Sequence, residues 1–157
     1  MPHHPVVAGL LRAIDEAYDR RSWHGTNLRG ALRGLDARQA AWRPARGRHN
    51  AWEIVLHAAY WKYAVRRRIN REKRGTFSRP GSNWFPSPAP PTEAEWKQAL
   101  ALLAGEHRRL RPAIAGLASA GLGPGSERLA RGIAAHDLYH AGQIQLLKRL
   151  MPARRKA

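Results

Sequence analysis

Two histidines one helical turn apart, His136 and His140 in Ala135-His136-Asp137-Leu138-Tyr139-His140-Ala141-Gly142-Gln143, are the residues whose type and spacing point most directly to chemistry. An i, i+4 interval puts both imidazoles on one helix face, close enough to share a metal ion. A third, His57, stands in Leu56-His57-Ala58-Ala59-Tyr60-Trp61, a stretch otherwise almost free of polar side chains. One imidazole from one helix and two from another make a facial three-nitrogen site with open positions, the usual form of a catalytic metal centre. Zinc, nickel or iron suits such donors. The alternative is a structural polar cluster. Burying three imidazoles without a shared partner, however, leaves several ring nitrogens to satisfy separately.

Around this set lie weaker candidates. Gln143, three residues past His140, can orient a ligand or touch substrate. Asp137 can accept a hydrogen bond from the far ring nitrogen of a ligand. His24, in Trp23-His24-Gly25, reaches a depth similar to that of His57 if the first two helices turn back on each other. Those three residues are the candidate catalytic groups. Glu53, one turn before His57, is accounted for by a helix cap. His107 reads as a core or edge histidine, and His3, His4 and His49 as terminal or loop-exposed. His-Asp-x-x-His matches the zinc-protease pattern poorly, because aspartate is shorter than the glutamate base and no downstream ligand follows. Di-iron bundles need several inward glutamates, which the 11 acidic residues do not supply.

The elements that must position these side chains follow from periodicity. A first helix is expected over 6–34, with Leu10, Ile14, Ala17, Leu28 and Ala31 on one stripe. Asn50-Ala51-Trp52-Glu53 has the form of a capping box and opens a second helix. That helix is apolar nearly all round, so it is expected in the core, with Glu53, His57 and Lys62 as its polar exceptions over 51–65. Residues 75–91 hold five prolines and two glycines and cannot be helical. Their Phe77, Trp84 and Phe85 predict a segment packed across the bundle rather than a free linker. Thr92-Glu93-Ala94-Glu95 caps a third helix, which Pro112 should kink or end. Gly116 to Gly125 reads as a flexible connection, and Ser126 as the cap of a fourth helix carrying His136 and His140 inward. With no period-two strand, the expected fold is all-α, a four-helix bundle.

A chain of 157 residues fits one domain spanning 1–157. It has no cysteine, which excludes disulfides, thiolate metal sites and a cysteine nucleophile. No apolar run approaches the roughly 20 residues needed to cross a bilayer, and the N-terminus lacks signal-peptide features, so a cytoplasmic protein free of membrane is expected. The net charge of +17 favours anionic partners. The arginines fall in short clusters, among them Arg66-Arg67-Arg68, Arg108-Arg109 and Arg154-Arg155-Lys156, at element ends and on polar faces. No nucleic-acid motif accompanies them, so solvated helix surface is preferred to specific nucleic-acid binding.

Taken in order, Trp23-His24-Gly25, the run Trp52 to Trp61 around His57, Gly81-Ser82-Asn83-Trp84-Phe85 and His136-Asp137-x-Tyr139-His140-x-Gly142-Gln143 resemble the DinB-like family, which includes the YfiT-like metal-dependent hydrolases. The likeness covers nearly the whole chain. It implies an up-down-down-up four-helix bundle that commonly dimerises. It implies a divalent metal on His57, His136 and His140. It also implies relatives that act as hydrolases or thiol-cofactor S-transferases, so a small-molecule substrate, with a thiol cofactor as one candidate, is expected. The competing expectation is a basic helical nucleic-acid-associated protein whose histidines are structural.

Overall fold

The computed structural model describes residues 4–152; His3 and the cluster Arg154-Arg155-Lys156 lie outside them. Among the described residues the chain forms six helices and no strand beyond one isolated bridge. They are α1 (Pro5–Tyr18), α2 (Leu28–Leu32), α3 (Ala37–Ala41), α4 (Ala51–Ile69), α5 (Glu93–Ala120) and α6 (Pro124–Leu150).

The first expected helix, over 6–34, is in fact two, α1 and α2, and α3 lies beyond its expected end. The stripe of α1 ends at Tyr18 because residues 19–27 carry no apolar side chain at the next helical positions except Trp23, which faces solvent. Gly25 turns the chain at φ 109°, and Asn27 closes the turn by donating to the Arg20 carbonyl. The Asn27 side chain then accepts from the Gly30 N–H and caps α2. Asp36 and Gln39 form a reciprocal capping box on α3.

Asn50 caps α4 by accepting from the Glu53 N–H at 2.8 Å. Glu53 does not complete the expected box. Its carboxylate turns away to Arg43 and His49. As the composition of 51–65 required, α4 is buried along most of its length and packs against both α5 and α6. Helix α1 packs on the other sides of α5 and α6, and α2 lies along α6. The four long helices thus enclose two apolar clusters. One is built from α2, α3, α4, the start of α5, the end of α6 and Phe85. The other joins α1 to the far half of α5 and the start of α6.

Helix α5 continues past Pro112 instead of ending there. Pro112 is exposed, so the carbonyl it leaves without an N–H partner can meet water, while Leu110, Ala113, Ile114 and Leu117 keep the inner face buried on both sides. The connection expected over 116–125 shrinks to residues 121–123, and Gly123, not Ser126, is the N-cap of α6; Ser126 accepts from the Gly123 N–H one turn in. The segment over 75–91 is irregular as expected. Phe85 is buried, and Phe77 and Trp84 pack against the same core. Among the described residues no helix is long and apolar enough to cross a membrane.

Candidate metal centre

His57 lies two turns into α4, and His136 and His140 share the inner face of α6 where that helix meets α4. Their side chains converge. His136 Nε2 lies 3.1 Å from His57 Nε2 and 3.1 Å from His140 Nε2. One ring nitrogen of each residue lies within 4.8 Å of the others. Nitrogens about 2.0–2.1 Å from one zinc in a tetrahedral shell stand about 3.3 Å apart, so the spacing suits a shared cation.

The outward nitrogens decide what the inward ones present. His57 Nδ1 is 2.8 Å from the Asn83 carbonyl, which can only accept. Nδ1 therefore carries the proton, and Nε2 offers a lone pair. His140 Nδ1 donates in the same way to Gln143 Oε1 at 2.7 Å. The Gln143 amide is itself oriented, because its Nε2 donates to the Tyr139 hydroxyl at 3.2 Å. Two of the three rings thus aim lone pairs at one point. The single proton of a neutral His136 cannot satisfy both well, and His136 Nδ1 is buried with no partner among the described residues. A cation at that point satisfies all three inward nitrogens, so the donor set fits a metal.

Burial also keeps the rings neutral. It lowers the His57 pKa below its ordinary value, against the opposing Asn83 carbonyl. It pushes His136 down to about 3, with His140 and His57 adding to the effect, and His140 down to about 4, against the opposing Gln143 bond. Neutral imidazole is the ligating form.

Asn83 holds His57 from a left-handed backbone position at φ 68°, which asparagine tolerates, and its side chain accepts from Trp61 Nε1 at 2.9 Å. The next residue, Trp84, stacks on His57 with centroids 3.8 Å apart and, on its other face, on His49 at 3.6 Å. His49 is bonded to Glu53, whose carboxylate also takes the Arg43 guanidinium in a two-point pair. Burial raises the Glu53 pKa, but these bonds outweigh it and hold Glu53 below the usual carboxylate range. A cleft of about 770 Å³ opens over the triad, lined by His49, Trp84, Tyr139, Gln143 and an apolar wall of Ile54, Leu146, Leu147 and Leu150, with Arg48 at its edge.

The DinB superfamily model matches residues 20–144, a span that holds all three histidines and the Asn83-Trp84 loop. The chain belongs to the DinB superfamily. No curated protein and no solved structure matches it.

Within this DinB bundle the other sequence candidates separate. Gln143 reaches the centre as an orienting residue. His24 does not: it sits exposed on the turn after α1 and lines no part of the triad cleft, because α1 ends too early to carry it inward. Asp137 supports no ligand either. It is fully buried one residue past His136 and forms an ion pair with Lys62, itself fully buried. Desolvation raises the Asp137 pKa, and Lys62 opposes the rise. Lys62 Nζ also lies 3.4 Å from His107 Nδ1, and His107 Nε2 faces Asp15 at 3.4 Å, which Arg111 grips with two bonds. Burial, then Lys62, push the His107 pKa down to about 3. Sequence reasoning missed Lys62 as a partner, although a lone lysine in an otherwise apolar helix was the available signal. It also missed His49 and the Asn83 carbonyl, whose roles depend on contacts across loops.

Proposed function

We propose that this chain is a metal-dependent enzyme of small molecules, with one divalent cation held by His57, His136 and His140, and that it transfers or hydrolyses through a thiol or water nucleophile. The observation that carries this reading is the convergence of three ring nitrogens, two of them fixed by their outer partners to present lone pairs. When bound, the cation lowers the pKa of a thiol or water and so supplies a nucleophile at neutral pH. The protein's own part is to hold the rings neutral and to fix their tautomers through the Asn83 carbonyl and Gln143. Leu146, Leu147 and Leu150 offer an apolar wall to the substrate, and Arg48 offers an attraction for its acidic groups. Among the described residues lining the cleft there is no carboxylate, and the side-chain base outside the triad is His49, whose Nδ1 is held by Glu53. A thiol ionises more readily than water, which favours a thiol cofactor over direct hydrolysis.

The test is elemental analysis of untagged protein, then titration of stripped protein with zinc, nickel and iron(II). One equivalent should bind, and each single His→Ala variant of the triad should lose at least ~100-fold in affinity, more than an outer partner costs. If the wild type binds no metal, or all three variants match it, the cluster is structural. Loaded protein should then turn over a thiol cofactor with an electrophile faster than it hydrolyses simple esters.

A homodimer and a cytoplasmic location complete the reading. Tyr139, Leu146 and Leu150, which line the mouth of the cleft, also expose an apolar stripe on α6, which supports association at that face. Sedimentation showing a monomer at high micromolar concentration would remove the dimer. Nucleic acid should bind only weakly and release as salt rises. Tight, sequence-selective binding at physiological salt would favour the nucleic-acid reading instead.

A further inference from the structure

A larger cavity, of about 1090 Å³, lies away from the triad between the turn after α1, α2 and the first half of α5. It shares no lining residue with the metal cleft. Five arginines line it, Arg20, Arg21, Arg29, Arg33 and Arg108, against the single carboxylate of Asp19. Asp19 lies 4.0 Å from Arg20 and 3.5 Å from Arg29. Arg21, Arg33 and Arg108 have no carboxylate partner among the described residues. Below the guanidiniums the wall is apolar, made by Leu32, Leu35, Leu100 and Leu103.

The cavity is held in shape by its own bonds. Ser22 Oγ donates to the Gly25 carbonyl at 2.7 Å, Asn27 ties the Arg20 carbonyl at 2.7 Å, and Lys148 from α6 donates to the carbonyls of Ala31 and Arg33 at 3.0 and 2.8 Å. The loop that carries four of the arginines is thus fixed at both ends before any ligand arrives. Guanidinium groups pair carboxylate and phosphate oxygens in two-point contacts, and leucines beneath them suit a hydrocarbon. The ring at the inner end, Tyr18, is covered by His107 at 4.1 Å, so it offers no open face on which a base could stack.

We propose that this cavity is a second binding site, for a small amphiphile whose carboxylate or phosphate meets Arg21, Arg33 and Arg108 while its hydrocarbon lies on Leu32, Leu35, Leu100 and Leu103. The site is independent of the metal centre and does not rest on the enzymatic reading.

Calorimetry on the full chain with decanoate, decyl phosphate and decanol tests it. Both acids should bind at one site per chain and decanol at least tenfold more weakly, and the tighter of the two acids identifies the head group. The double variant Arg33→Gln/Arg108→Gln, at two exposed positions, should keep the helical circular dichroism and the metal content of the wild type yet weaken both acids at least roughly tenfold, the loss of about one charge-assisted contact. His57→Ala should lose metal and keep decanoate binding. The proposal is overturned if no acid binds at about 1 mM, far weaker than a built pocket allows, or if decanol binds as well. It is also overturned if the double variant binds like the wild type, if His57→Ala abolishes binding, or if a short oligothymidylate displaces decanoate at lower concentration than decyl phosphate does.

Discussion

The histidine centre on α4 and α6 and the chain Asp137–Lys62–His107–Asp15–Arg111 beside it are neighbouring buried polar clusters in one apolar bundle. The second cluster balances its charges internally, although Asp137 Oδ1 is buried without a hydrogen-bond partner among the described residues. Each of the four long helices supplies a member: Asp15 from α1, Lys62 from α4, His107 and Arg111 from α5, and Asp137 from α6. Two cations face two anions, and the neutral His107 ring stands between them, its Nδ1 3.4 Å from Lys62 Nζ and its Nε2 3.4 Å from Asp15. The histidine centre has no such balance. It gathers three neutral rings, with no carboxylate among the described residues grouped there, and brings His136 Nε2 within 3.1 Å of the Nε2 of both His57 and His140. The difference teaches how to tell a structural polar cluster from a binding site. A cluster whose charges cancel internally calls for no added ion, whereas one that aims several lone pairs at one point calls for a cation.

Breaking the charge-balanced cluster should have the largest effect. Lys62→Ala strands the buried Asp137 carboxylate and should cost ~3–5 kcal/mol in urea unfolding. The paired replacement Lys62→Met/Asp137→Leu should recover most of that loss, because well-packed apolar residues often equal a buried ion pair. Metal affinity in the paired variant should stay near that of the wild type. A loss below ~1 kcal/mol in Lys62→Ala, the value of a surface pair, would show that the ion pair is not what holds the cluster.

Acid should act on both clusters through folding and less on binding. His57, His136, His140 and His107 all have folded-state pKa values below 6.5, the last three at about 3, 4 and 3 in that order. Below pH 6.5 the unfolded chain takes up protons that the folded chain refuses. The stability these neutral rings contribute is therefore complete above pH 6.5 and declines as pH falls toward 4, by up to about 1.4 kcal/mol per pH unit for each of His136, His140 and His107, with His57 acting in the same direction. Urea midpoints of metal-free protein at pH 7, 6 and 5 measure it. Metal affinity, followed while the protein remains folded, should fall less from pH 7 to 5 than titration of free imidazoles would require, since burial holds all three rings toward the ligating form. A steep fall in affinity near pH 6.5 would mean that the centre is wetter than its burial indicates.

Smaller effects should come from the outer partners. Gln143→Ala frees the His140 ring and should weaken metal binding ~10–100-fold, while Gln143→Glu, which keeps the acceptor, should restore it. Titration of stripped protein checks both; equal loss in the two variants would mean that Gln143 acts by size alone. Trp84→Leu removes the stacked ring between His57 and His49 and should cost ~2–10-fold, the range of one aromatic pair.

The sequence by itself determined what depends on helical period and local chemistry. The i, i+4 interval placed His136 and His140 on one face. The apolar run around His57 marked α4 as a buried helix. The prolines of 75–91 excluded helix there, and their aromatic neighbours marked the segment as packed. Tertiary structure decided what depends on which surfaces meet. Only packing joined Lys62 to Asp137, 75 residues apart, and brought the Asn83 carbonyl to His57, 26 residues away. Packing also let α5 continue through Pro112, because the buried residues on both sides hold its inner face. His24 was misjudged for the same reason. Its place depended on where α1 ended, and no periodic stripe carried the helix past Tyr18. Period is a property of neighbours along the chain and can be read there. Partnership across the core is set by how several helices fill one volume together, and no single stretch of residues records it.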